Sequence, residues 1–172
     1  MFSKTTSKQA PSFSDRKQRF YEFLDNNPVG VLSTVTPDGD PHGVVIYYVI
    51  DKNFIISFLT RAETRKRDNI KHNNHVMLTV YEPRTQTTVQ IVGTAKEVTD
   101  SYEVNGIAGA VMGVSTKIAN TGLPPISKLE AGSYVGFRIT PEQIRMAVYS
   151  RPDPGEYGDI FESIESFDLD EA

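Results

Sequence analysis

The stretch of the sequence best suited to chemistry is residues 60–71, TRAETRKRDNIK. Four of its first eight residues are basic, and threonines occupy its first and fifth positions. The stretch follows a predicted strand and opens a predicted helix, so its positive charges lie where the helix dipole is itself positive. Backbone N–H groups, threonine hydroxyls and basic side chains together make a good phosphate cradle. The pattern therefore predicts a phosphate monoester bound at this turn.

A second interpretation of the same stretch needs no ligand. Thr60 and Glu63 have the spacing of a capping box, so the helix could begin at Thr60 rather than at Thr64. Residues 65–67 would then lie in the middle of the helix on a solvated face, where basic runs are common. The residues alone leave both interpretations open.

The elements that must position this stretch are mostly strands. Short β-branched runs separated by turn signals predict strands over residues 29–36, 41–50, 54–59, 76–81, 87–98, 134–139 and 144–149, with Gly93 as a possible bulge. Helical patterns cover residues 15–26, 60–74 and 101–119. These elements predict a mainly β (α+β) fold, a six- to seven-stranded antiparallel β-barrel with flanking helices. Because a barrel with an exposed apolar face in so short a chain often buries that face against a second copy, we expect a homodimer.

Charge divides the chain into a weakly basic body and an acidic tail. Residues 1–151 hold all 18 basic residues and 14 of the 22 acidic ones, whereas the remaining residues hold eight acidic residues and no basic one. We therefore expect a flexible arm at residues 1–13, a barrel domain at residues 14–150 and an acidic tail at residues 151–172.

The acidic tail also carries apolar residues, which a purely solvated segment does not need. Ile160, Phe161, Ile164 and Phe167 have the spacing of a short helical stripe. This spacing predicts a helix docked on the body, and disorder is the alternative, since terminal acidic segments are commonly mobile.

Composition narrows the function classes. The 172 residues include no cysteine and three histidines, which excludes thiolate chemistry and leads us to expect no metal site. The body is too weakly basic for a nucleic-acid surface. No apolar run approaches the roughly 18 residues of a membrane helix, and the polar, basic N-terminus is unlike a secretory signal. We therefore expect a cytoplasmic protein that acts on small molecules, without nucleic-acid or membrane partners.

Between Phe23 and Thr99 the sequence resembles the pyridoxamine 5′-phosphate oxidase-like, FMN-binding split-barrel family. The resemblance rests on the order and spacing of several short motifs rather than on any one of them. These motifs are residues 28–34 (PVGVLST), 37–42 (PDGDPH), 64–66 (TRK) leading into 69–70 (NI), the strand at 76–80, 92–98 (VGTAKEV) and, near the end, 137–142 (FRITPE).

The resemblance implies a split barrel in which two chains pair and bind two FMN molecules in their interface. It implies the following cofactor-binding residues: Arg65 and Lys66, with the hydroxyls of Thr60 and Thr64, for the phosphate; the backbone of Val44, Val45 and Ile46 along the isoalloxazine ring; and Thr88 and Gln90 from the partner chain. It identifies no catalytic residue.

The sequence departs from the vitamin B6 oxidase itself at two places. Gly43 stands where that enzyme carries an arginine, and the chain has no tryptophan for the C-terminal substrate motif. The resemblance is therefore closer to the general stress-protein and uncharacterised oxidoreductase branches. It implies an FMN-dependent oxidoreductase that transfers hydride between a nicotinamide or another reductant and a small acceptor. The alternatives are a flavin-binding stress, storage or sensor protein without turnover, and the same fold using F420 or haem.

Four further features have structural interpretations. His42 could face the flavin, but a hydrogen bond near its turn is the expected role. His72 is expected near the carbonyl end of its helix, where a cation is welcome. Tyr47 and Tyr48 alternate on a strand, so one faces inward and one outward. The run GIAGAVMG at residues 106–113 lacks a dinucleotide-binding pattern and favours close helix packing.

Overall fold

The computed structural model describes residues 13–118, 134–149 and 161–165, and most of these residues form an antiparallel β-barrel. The elements in chain order are α1 (Phe13–Asn26), β1 (Val29–Val35), β2 (Pro41–Ile50), β3 (Ile56–Arg61), α2 (Arg65–His72), β4 (His75–Glu82), β5 (Thr87–Val98), α3 (Ser101–Ile118), β6 (Tyr134–Val148) and β7 (Phe161–Glu165). Within these ranges, no helix is both long and apolar enough to cross a membrane.

Six strands close the barrel in the order β3-β2-β1-β4-β5-β6, and β6 pairs back onto β3. All pairs are antiparallel, and β7 adds to β6 outside the ring. Alternate residues of each strand point inward, and the interior is filled by large side chains such as those of Tyr48, Phe58, Phe137 and Ile91. The rings of Phe58 and Phe137 stack with their centroids 5.3 Å apart. The predicted mainly β split barrel with flanking helices is therefore confirmed.

The helices cover different parts of the barrel. Helix α1 buries Phe20 and Leu24 in the core, and the buried Tyr48 hydroxyl lies 3.0 Å from Leu24 O and 2.9 Å from Asn27 O, to which it donates. Helix α2 packs against the end of β1 that holds Thr34, and it buries Ile70. Helix α3 packs along the outside, mainly on β2 and β3. The outer faces of β1, β4 and β5 are left exposed.

Strand β6 differs from the prediction. The sequence predicted two strands joined by a turn at residues 140–143, but residues 134–148 form one strand. Gln143 pairs with Val92 and Pro141 pairs with Gly93, so Glu142 is an extra residue that bulges out of the ladder. Gly93 permits the crossing because a Cβ there would overlap Thr140 O and lie 2.9 Å from Pro141 Cα. The ladder is thus irregular next to Gly93, as predicted, but the extra residue lies in β6 rather than in the strand of Gly93.

Two further predictions of local structure are wrong. Residues 161–165 form strand β7, paired with Gln143–Ala147 of β6, rather than part of a helix. This pairing places part of the acidic tail against the body. The glycines of α3 are exposed, and a Cβ at Gly106, Gly109 or Gly113 would meet no atom within 4 Å among the described residues. Helix α3 instead packs through Ile107, Ala108, Val111 and Ser115. Residues 1–12 of the predicted arm and the other apolar residues of the tail lie outside the described residues, and Phe13, the last residue of that arm, is the first residue of α1.

We predict that Gly93→Ala lowers the free energy of unfolding by about 1–3 kcal/mol or more, because backbone atoms of Thr140 and Pro141 cannot move as a flexible side chain can. The matched control is Gly109→Ala, at an exposed helical position with open space, which should raise stability by up to about 1 kcal/mol. Denaturant unfolding of both variants measures the difference. Equal stability of Gly93→Ala and the wild type would show that the close crossing of β5 and β6 is wrong.

Candidate functional site

The start of α2 decides between the two interpretations of the basic stretch. Thr60 lies in β3, where its backbone pairs with Val135 of β6. Thr64 is the N-cap residue, with extended φ and ψ of −136° and 144°, and the helix begins at Arg65. The capping-box interpretation is therefore wrong, because the ladder to β6 holds Thr60 in a strand. Arg65 and the two basic residues after it lie in the first turn of the helix.

The hydroxyl of Thr64 does not cap this helix. It donates to Arg61 O at 3.2 Å and lies 3.1 Å from Thr60 Oγ1. The next helical N–H groups, those of Arg67 and Asp68, bond to Thr64 O at 3.0 and 3.3 Å. The N–H groups of Arg65 and Lys66 have no acceptor within the part of the chain that the structure describes. Donors at a helix start need an acceptor from outside the helix, such as water or an anion.

Lys66 is a half-buried cation beside these donors. Its Nζ donates to Thr60 Oγ1 at 2.7 Å, and Thr60 is itself buried. Lys66 forms no ion pair with any carboxylate of the described residues. Burial lowers the pKa of Lys66 below its ordinary value, because removing an ammonium from water disfavours its charged form. The lysine is thus held in a place where an anion would stabilise its charge.

Arg67, the third basic residue of the turn, has a different role. It forms a two-point ion pair with Glu97 of β5, with Nε–Oε2 at 3.1 Å and Nη2–Oε1 at 2.8 Å. Its Nη1 also donates to Ala62 O at 3.0 Å. The hydrogen bonds from Arg67 lower the pKa of Glu97, and those to Glu97 raise the pKa of Arg67. Arg67 therefore braces the turn against β5 and is neutralised, whereas the exposed Arg65 makes no ion pair within the described ranges.

A buried polar contact anchors α2 to the barrel. Asn69 is 1% exposed, and its Nδ2 donates to Thr34 Oγ1 of β1 at 2.9 Å. Thr34 Oγ1 in turn donates to His42 O at 3.3 Å, and His42 Nδ1 lies 3.5 Å from the same hydroxyl. His42 thus lies in a polar contact near its turn. Sequence analysis had given Asn69 no role, although Asn69 and Ile70 form the buried face of α2.

Val44, Val45 and Ile46 lie on a stretch of β2 with one free backbone edge. Strand β2 pairs with β1 from Pro41 to Tyr47, but its pairing with β3 covers only Tyr48–Ile50. The β3-facing edge of residues 44–46 therefore has no strand partner in the described part of the chain. Tyr48 of β2 pairs with Phe58 of β3. Because the strands are antiparallel, Ile46, two residues before Tyr48, and Thr60, two residues after Phe58, lie at the same end of this strand pair.

Thr88 and Gln90 lie elsewhere on the barrel surface. Gln90 belongs to a row of outward-facing residues that are paired across neighbouring strands: Val45, Val31, Thr79, Gln90 and Arg145. Within one chain, this row does not bring Thr88 or Gln90 to Lys66. The structure brings Thr60, Thr64 and Lys66 together, places Arg65 beside them, and leaves Thr88 and Gln90 on a separate face. Their assignment to a cofactor stays a prediction.

Comparisons with known proteins identify a family and a fold. The sequence profile of the pyridoxamine 5′-phosphate oxidase family matches residues 17–147. A search of proteins with curated functions finds no significant match.

Solved structures share the fold at low sequence identity. General Stress Protein 26 from Bacillus anthracis is 22% identical, with a TM-score of 0.57 over 76% of this chain and 92% of that chain. A structure named F420 reductase is 23% identical, with a TM-score of 0.59 over 72% and 94% of the two chains. A heme binding protein from Mycobacterium smegmatis is 14% identical, with a TM-score of 0.66 over 94% and 61%.

We predict that Asn69 and Thr34 are energetically coupled, because each satisfies the other in a buried place. Asn69→Ala and Thr34→Val should each lower the free energy of unfolding by about 1–3 kcal/mol, and the double variant by less than their sum. Lys71→Ala, an exposed change on the same helix, should shift it by less than about 0.5 kcal/mol. Denaturant unfolding of the four variants gives the coupling energy, and strict additivity would contradict the contact.

Proposed function

Because the chain belongs to the pyridoxamine 5′-phosphate oxidase family, we propose that it is an FMN-binding oxidoreductase that holds the cofactor phosphate at the start of α2. The observation that carries this proposal is the set of hydrogen-bond donors around Lys66, none of which has a carboxylate partner among the described residues. The ammonium of Lys66, the Thr60 and Thr64 hydroxyls and the first N–H groups of α2 share one turn. Glu97 is occupied by Arg67, and no carboxylate of the described residues forms an ion pair with Lys66.

These residues fit a phosphate monoester chemically. A phosphate dianion has only acceptor oxygens in three directions, and this turn presents donors of three kinds. A phosphate next to Lys66 would also raise the lowered pKa of the ammonium, because an opposite charge favours the charged form. Arg65, exposed beside it, would close over the phosphate from the solvent side.

The neighbouring edge of β2 suits a flat heterocycle. The free backbone edge of residues 44–46 offers N–H and C=O groups that could bond to the polar rim of a ring. Val45 is 61% exposed and Val31 beside it is 41% exposed, so an apolar surface lies next to that edge. Bound FMN would supply hydride transfer between a nicotinamide or another reductant and a small acceptor. The chain would then bind the phosphate, orient the ring and exclude water from one side.

The outer barrel face supports a homodimer with the cofactor in its interface. The interior is filled by side chains, so a tricyclic ring has to lie outside the barrel. The outward residues Val31, Val45, Tyr81 and Val92 are each more than a third exposed and lie on neighbouring strands. A second copy on this face would bury them and could bring its own Thr88 and Gln90 to the ring.

Two alternatives keep the fold and change the chemistry. The F420 reductase and the heme binding protein have this fold, so the cofactor could be F420 or haem. F420 also carries a phosphate, whereas haem carries only carboxylates. The donor set at Lys66 therefore favours FMN or F420 over haem. Mass spectrometry of the ligand released from purified protein distinguishes all three. In a flavin-binding stress, storage or sensor protein, NADH or NADPH would reduce the bound flavin but would not be consumed steadily in the presence of an acceptor.

We predict that Arg65→Ala with Lys66→Ala weakens FMN binding at least about a hundredfold while the fold survives. Each charge-assisted contact is worth about 1.5–3 kcal/mol, and two are removed. The matched control, Lys71→Ala with Lys117→Ala, changes the net charge equally at exposed helix positions and should leave affinity within about threefold. Flavin fluorescence titration measures the affinity and circular dichroism the fold. Wild-type affinity in the double variant would refute this phosphate site.

We predict that Val31→Glu converts the dimer to a monomer at micromolar concentration, because it places a charge in the centre of the proposed interface. Tyr102→Glu is the control, since Tyr102 is 87% exposed on α3, away from this face. Light scattering gives the mass of each variant and of the wild type. A wild-type monomer that still holds flavin would show that the cofactor needs no partner chain.

A further inference from the structure

A cleft opens on the barrel surface between β5 and β6, apart from the turn that holds Lys66. Its volume is about 190 Å3, and it is lined by Thr88, Gln90, Arg145, Met146, Ala147 and Tyr149. The lining offers a guanidinium, a carboxamide, two hydroxyls and an aromatic ring, and it includes no carboxylate. The chemistry of the cleft is therefore that of a site for an anion.

Strand β7 pairs Ser163 with Arg145 and Glu165 with Gln143, so an acidic residue of that strand lies in a neighbouring register position. Arg145 is the charged group of this cleft. It points outward between the buried Ile144 and Met146 and is exposed. It forms no hydrogen bond or ion pair within the described residues. Other arginines of the barrel are neutralised by glutamates, as the pairs Arg67–Glu97, Arg84–Glu82 and Arg138–Glu103 show. An unpaired guanidinium in a concave surface with neighbouring donors is suited to a carboxylate or a phosphate.

The strand register places two further polar groups next to Arg145. Gln90 is its direct partner across the β5–β6 ladder, so their Cβ atoms lie about 5 Å apart on the same face. Thr88 is the partner of Ala147, one outward position further along. Tyr149, which is 56% exposed, forms the rim. The carboxamide and the guanidinium could therefore contact one anionic group together.

The cleft is continuous with the surface proposed for the flavin ring. The outward row changes from the apolar Val45 and Val31 through Thr79 to Gln90 and Arg145. We propose that the small-molecule substrate carries a carboxylate or phosphate, that this group binds in the cleft, and that Arg145 selects for its charge. That the anion is a substrate rests on the proposed function, whereas the binding of an anion in the cleft rests only on the geometry of the cleft.

The test is a titration of the full-length, 15N-labelled chain with three probes of similar size: benzoate, phenyl phosphate and the neutral benzamide. The Nε–Hε signal of Arg145 and the side-chain amide of Gln90 report binding in this cleft rather than at Lys66. The variants are Arg145→Gln, which removes the charge, and Arg145→Lys, which keeps the charge without the planar fork. Arg138→Gln is the matched control, because Arg138 lies on the same strand and is occupied by Glu103.

The wild type should bind at least one of the two anions about tenfold more tightly than benzamide, as expected for one charge-assisted contact. Arg145→Gln should abolish this preference, Arg145→Lys should retain part of it, and Arg138→Gln should leave it unchanged. The stronger of benzoate and phenyl phosphate identifies the anionic group. Equal binding of all three probes, or an undiminished preference in Arg145→Gln, would overturn the proposal.

Repeating the titration with and without FMN separates the two proposals. If the chain binds no FMN but retains the anion preference, the cofactor assignment fails and the anion site stands. If FMN binds and the preference is absent, the anion site fails and the cofactor assignment stands.

Discussion

The closure of the barrel by β6 is the constraint on which the candidate site depends. Strand β6 pairs with β5 along one edge and with β3 along the other, and it can do both because the chain crosses over Gly93 at Pro141. The pairing with β3 extends to Arg61, so Thr60 is held in a strand and the helix begins only after Thr64. A strand contact between distant parts of the chain thus determines which residues form the first turn of α2. The same strand carries Arg145 on its outer face.

The basic residues of this turn differ in their hydrogen-bond and ion-pair partners. Arg67 is bound on two sides by Glu97 and by a backbone carbonyl, so it joins the turn to β5 and contributes little free charge. Among the described residues, the ammonium of Lys66 has only a hydroxyl oxygen as its acceptor. Asn69, hydrogen-bonded to Thr34, fixes the helix on β1 and with it the direction of the first turn. One basic residue of the stretch holds the turn in place, and another is left available.

The sequence predicted those features that depend on local chemistry and missed those that depend on distant partners. Most strand positions were predictable because β-branched runs and turn residues mark them locally. The start of α2 was ambiguous because Thr60 and Thr64 are both sound N-cap residues, and only the ladder to Val135 decides between them. A turn was predicted at Pro141 because its contact with Gly93, which lies 48 residues away in sequence, leaves no local signal.

The same distinction applies to the tail and to the candidate site. The apolar spacing in residues 160–167 is compatible with a helix or a strand, and pairing with β6 makes residues 161–165 a strand. The residues that we propose to hold a phosphate could be named from the sequence because they lie within one turn. The free edge of residues 44–46 and the cleft at Arg145 depend on register, and no local pattern reveals register.

An anion bound at this turn would offset the cost of burying the Lys66 ammonium. Its pKa is lowered in the folded chain, so near that pKa the unfolded state binds more protons, and folding stability rises as pH rises through that range. Below the lowered pKa the ammonium is charged in both states, and the folded chain carries the full cost of desolvating it. Within the described residues, the only group that offsets this cost is the Thr60 hydroxyl. A bound phosphate would offset it directly and raise the pKa again, so part of the stability given up at Lys66 would return as affinity for the ligand.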